Sequence, residues 1–70
     1  MSDLTNEEKS VIVLQHLKNI AYSEYNAVLS LAQEQAVSDP NQKNIQTLTD
    51  QLSDILAQKQ VLQEELDSLS

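Results

Sequence analysis

The sequence predicts an all-α protein: an antiparallel two-helix hairpin, coiled-coil-like, completed as a bundle by oligomerisation or by a partner. Three observations carry this expectation. After Pro40 the apolar residues Ile45, Leu48, Leu52, Ile55, Leu62, Leu66 and Leu69 fall at alternating spacings of three and four, with a single break at Lys59. That is the seam of a helix that packs on another helix. The chain contains no glycine and only one proline, Pro40, so nothing interrupts a helix on either side of it. Finally, 70 residues build only a small core, and with no cysteine the chain has neither disulfides nor thiolate metal sites to reinforce it. Association is the remaining source of extra stability.

The first helix announces its own start. Thr5 and Glu8 have the spacing of a capping box, in which the hydroxyl and the carboxylate satisfy each other's neighbouring backbone donors, and Glu7 adds favourable negative charge to the first turn. The helix is expected over about 6–37, roughly 45 Å at the standard rise. Ser38 and Asp39 then form the turn, with Asp39 suited to cap a second helix and Pro40 to open it, because the residue before proline is pushed out of the helical region. The second helix is expected over about 40–68, so residues 1–70 form one helical hairpin. Without glycine for a left-handed C-cap, the turn can instead use Asn41 or an extended Ser38 and Asp39. A short connection between segments of matched length folds them antiparallel; one continuous kinked helix is the other geometry.

Requiring the two apolar stripes to face each other sets a register. It places Leu31 opposite Ile45, Val28 opposite Leu48, Ala21 opposite Ile55, Leu14 opposite Leu62 and Leu17 opposite Lys59. Glu24 then meets Leu52, a poor match, which Tyr25 is expected to relieve by filling the space while Glu24 turns to the rim. Lys59 is expected to lay its aliphatic stem along the rim and keep its ammonium in water.

Helix 1 is broader in its apolar character than a hairpin requires. Its hydrophobes cover an arc of roughly 220°, whereas one neighbouring helix covers about 100°. The surplus flank holds Val11, Tyr22, Tyr25 and Leu29, the two tyrosines being the only aromatic residues and well suited to a partly wet interface. Helix 2 shows a narrow band with a polar back of Gln46, Asp50, Ser53, Asp54, Gln60 and Gln63, and Val61 as an isolated exception. Two geometries bury the surplus: a four-helix bundle of two hairpins, or docking of helix 1 on a larger protein. Glu64, Glu65 and Asp67 place three carboxylates where the helix dipole disfavours them. A partner covering Leu66 and Leu69 would offset this, so those two residues are a second expected contact.

Charge and composition argue against several classes of function. Eleven acidic residues stand against four lysines, for a formal charge of −7, and there is no arginine to supply phosphate or guanine contacts. Nucleic acid is not an expected partner. No apolar run approaches the roughly 20 residues that cross a bilayer, neither helix has the lysine-rich face of a membrane-surface helix, and the stretch MSDLTNEEKS is unlike a signal peptide. The expected location is the cytoplasm, or a virion assembled there. The single His16 projects to the polar side, with no second histidine for a metal and no nucleophile or cleft-forming loop for catalysis. No enzyme activity, cofactor, metal or small-molecule substrate is expected.

The chain, with SVIVLQHLKNIAYSEYNAVLSLAQEQAVSDPNQ followed by LTDQLSDILAQKQVLQEEL, resembles the small, glycine-free, glutamine-rich helical-hairpin proteins of tailed bacteriophages. The resemblance is one of pattern over most of the chain, and it implies a virion component or an assembly factor. A rival similarity is to the helical-hairpin phosphatases of sporulation response regulators, which carry a Ser-Gln-x-x-Asp signature. The corresponding stretch here, Thr47-Leu48-Thr49-Asp50-Gln51-Leu52, lacks it. The expected function is a non-enzymatic structural or assembly protein acting through helix packing; the alternative is a small acidic binder or inhibitor of a host protein.

Overall fold

The computed structural model describes residues 3–70, so Met1 and Ser2 of the acidic N-terminal stretch lie outside the described residues. Two helices, α1 (Asn6–Ala36) and α2 (Gln42–Ser68), pack against each other. Among the described residues there is no strand. The body measures 54 × 16 × 15 Å. Helices of these lengths set end to end would span nearly 90 Å, so the chain folds back as a hairpin rather than continuing as one kinked rod.

The start of α1 is as the sequence implies. Glu8 N–H donates to Thr5 Oγ1 at 3.1 Å and Thr5 N–H donates to Glu8 Oε1 at 3.0 Å, closing the capping box. These hydrogen bonds hold the Glu8 carboxyl below its ordinary value of 4.5.

The turn departs from expectation. The connection runs over residues 37–41 rather than 38–39, and α2 is capped by Asn41, not by Asp39 with Pro40 in its first turn. Val37 leaves α1 in an extended conformation (φ −78°, ψ 157°), and no described residue adopts a positive φ. The reason lies in Asn41, whose side-chain oxygen accepts from Lys43 N–H at 3.0 Å and Asn44 N–H at 3.2 Å. Its own backbone N–H donates to Glu34 Oε1 at 2.8 Å, a bond that ties the end of α1 to the start of α2. One residue thereby satisfies three backbone donors, counting its own.

The inward stripe of α2 comprises Ile45, Leu48, Leu52, Ile55, Lys59, Leu62, Leu66 and Leu69, all half-buried and at the heptad spacing read from sequence. The inward stripe of α1 differs from expectation. It comprises the buried Val13 and Ala27 with the half-buried Leu17, Ile20, Glu24, Leu31 and Glu34, again alternating by three and four. Leu14, Ala21 and Val28, expected in the seam, are exposed. Leu48 and Ile55 border a groove with Ala27, and Leu62 and Gln58 border another with Ile20. Relative to the expected pairing, α1 is rotated and slid by about one turn. The rotation seats the small Ala27 and the β-branched Val13 and Ile20 in the seam, and it turns the longer edge of the arc outward.

The seam is thin. Val13 (8% exposed) and Ala27 (7%) are the only buried apolar residues among those described. On α2 the polar back is knitted by i,i+4 contacts, Gln46 to Asp50 at 2.9 Å and Gln60 to Glu64 at 3.2 Å, each worth a few tenths of a kcal/mol.

Candidate protein interface

With Val13, Leu17, Ile20, Ala27 and Leu31 turned to α2, a second apolar stripe is left on the outside of α1. Val11, Leu14, Lys18, Ala21, Tyr25, Val28 and Ala32 follow the same alternation of three and four, and all are exposed. Tyr22 and Leu29 flank it. The outer stripe lies roughly 120° around the helix from the inner one, so it faces a different direction from α2. The broad arc read from sequence is thus two seams side by side, one occupied by α2.

The expected flank residues stand on this free side. Val11 is 67% exposed, Tyr25 65% and Tyr22 63%, with Leu29 also exposed. Tyr25 does not fill the space beside Glu24 as expected, because the rotation of α1 carries it outward. Lys18, Ala21, Tyr22 and Tyr25 surround a shallow depression. They are residues i, i+3, i+4 and i+7, the four corners of the hole that receives a knob in coiled-coil packing. Ala21, the small corner, makes the dent. On α2 the exposed Leu56 and Val61 are five residues apart and project to different sides, so they form no such stripe.

Leu66 and Leu69 belong to the inner seam. They are half-buried on the side of α2 that faces α1, so the hairpin itself covers part of the tip that was expected to await a partner.

Two of the charged residues within the inner stripes, Glu24 and Lys59, meet, while Glu34 is engaged at the turn. Lys59 Nζ lies 3.8 Å from Glu24 Oε1, with the side chains 38% and 30% exposed. Glu24 does not turn away to the rim, and Lys59 does not merely reach for water. Each side chain leans toward its own helix N-terminus, and in an antiparallel pair those leanings converge. A signal for the pairing was present in the sequence: the break in each seam carries the opposite sign.

His16 is exposed. Among the described residues, no group of three or more His, Cys, Asp or Glu is placed to hold a metal, no buried side-chain polar atom lacks a partner, and no helix is long and apolar enough to cross a membrane. The geometry defines a helical hairpin with one seam closed and one open. Compared with protein-family models, curated proteins and solved structures, the chain matches none.

Proposed function

We propose that this chain is a non-enzymatic structural or assembly protein that works by helix packing, using the outer seam of α1 as its contact surface. The observation that carries the reading is the continuous exposed stripe that holds Val11 and Tyr25 and is flanked by Tyr22 and Leu29. Monomeric proteins seldom leave a contiguous apolar patch on this scale without a partner, and tyrosine-bearing patches of this kind are common at interfaces. The pattern-level resemblance to the helical hairpins of tailed bacteriophages gives the reading a setting, as a virion component or assembly factor made in a host cytoplasm.

The test combines sedimentation velocity of the purified chain at tens of micromolar with binding of a dye that reports exposed apolar surface. Association, or dye bound to the outer seam and lost in Tyr22→Ala/Leu29→Ser, is the expected result. A folded monomer that binds no dye would overturn the reading.

A second reading has its own support. Five of the eleven acidic residues, Asp50, Asp54, Glu64, Glu65 and Asp67, lie exposed on α2, a surface able to occlude a basic site on a host protein. Salt separates the two, since charge-driven binding weakens steeply with ionic strength and apolar packing does not.

A further inference from the structure

We propose that α1 pairs antiparallel with α1 of a second copy through the outer seam, the two-fold axis passing beside Ala21 and Tyr22, so that two hairpins close into a four-helix bundle. The proposal rests on the packing reading above and names its partner.

Surface area gives the first argument. A folded monomer of 7.8 kDa is expected to expose ~4,400 Å², whereas this chain exposes 5461 Å². The excess, on the order of 1,000 Å², matches the area that one partner loses in a standard interface, about 800 Å². In an elongated hairpin of 54 × 16 × 15 Å that excess is exposed along the helix sides, and one further helix-to-helix contact per chain is enough to cover it.

Charge gives the second. Despite a net charge of −7, residues 10–32 of α1 carry only Lys18 and Glu24 as charged groups, His16 being counted neutral. Glu24 lies in the inner seam against Lys59. The outer seam therefore has no carboxylate, and two copies can meet there without the acid-on-acid contact that pairing through the backs of α2 would bring.

Self-complementarity gives the third and fixes the direction. Folding the outer seam on itself about Ala21 and Tyr22 sets Val11 against Ala32 of the second copy, Leu14 between Val28 and Leu29, and Lys18 against Tyr25, each contact made twice by symmetry. Large residues meet small ones at the ends. The Lys18 stem lies along the tyrosine ring with its ammonium at the rim, a favourable cation–π geometry. The hole bounded by Lys18, Ala21, Tyr22 and Tyr25 falls on the axis and faces its own copy. In a parallel pair Lys18 would face Lys18, a like-charge contact inside a seam.

Because the chain has no cysteine, single substitutions report single contacts. Val11→Cys and Ala32→Cys chains would be mixed in a glutathione redox buffer and the disulfides quantified by mass, with helicity checked by circular dichroism. Both sites are exposed in the hairpin, which leaves the inner seam intact. In the antiparallel dimer the two copies of Val11 are about 30 Å apart, far beyond disulfide reach. The mixed Val11–Ala32 product should exceed either self-linked product by about tenfold. An excess of self-linked Val11→Cys would establish a parallel pair and overturn the proposal, as would a sedimenting dimer that forms no mixed disulfide. A wild-type monomer whose outer seam still binds dye would overturn self-pairing and leave the packing reading in place; one that binds no dye would remove both.

Discussion

Replacing Glu24 and Lys59 together by leucine should make the hairpin more stable, by an amount that the geometry sets. The pair is separated by 3.8 Å and its side chains are 30% and 38% exposed. Solvent screening at that exposure reduces its contribution to about 0.5 kcal/mol. A leucine gains about 1.5–3 kcal/mol on full burial. At the partial burial of these two positions each leucine should contribute about 1 kcal/mol, so the double variant should gain ~1.5 kcal/mol after the pair is lost. Lys59→Leu alone should be near neutral, because it fills the heptad but leaves Glu24 beside apolar neighbours without its cation. The ion pair also specifies: sliding the helices by one heptad would set each charge against an apolar residue, so the double variant should admit alternative pairings. Urea unfolding followed by circular dichroism at several concentrations measures stability, and native mass spectrometry measures uniformity. If the double variant were destabilised by more than about 1 kcal/mol, the pair would be a specific structural contact and the screening argument would fail.

The turn and the first cap make two further predictions. Glu34→Ala removes the acceptor of Asn41 N–H and should cost about 1 kcal/mol, while Glu34→Gln, which keeps an acceptor oxygen, should cost less than half of that; thermal melts decide it. The Glu8 carboxyl is held below 4.5 in the folded chain by its hydrogen bonds with Thr5. Its contribution is therefore present above that value and is lost as pH falls through the lowered one. Relative to a Thr5→Ala control, in which the cap is already absent, amide exchange at Glu8 should accelerate as pH falls through the lowered value.

The seam of α2 was legible residue by residue because it is narrow: one stripe, with only the isolated Leu56 and Val61 as large apolar residues outside it, admits one orientation. The inner stripe of α1 was not, since an arc of roughly 220° permits several rotations of the helix and apolar pattern alone does not choose among them. Charge could have chosen. Glu24 is the one carboxylate in α1's apolar arc between residues 10 and 32 and Lys59 the one break in the α2 seam, and bringing them together excludes the pairing that set Leu17 against Lys59. The turn failed for a different reason. Asp39 and Asn41 are both good caps flanking Pro40, and the decision came from Glu34, seven residues before Asn41, at a distance that local propensity does not register.

The central claim is that α1 has two faces, one that folds the hairpin and one that associates. Analytical ultracentrifugation and circular dichroism of Tyr22→Ala/Leu29→Ser beside the inner-seam control Leu52→Ser test it most directly. The outer-face variant should lose several kcal/mol of association, on the order of 2–4, and keep most of its helix, whereas Leu52→Ser should lose helicity first. An equal loss of helicity in both variants would show that the two faces form one core, and the separation of folding from association would be contradicted.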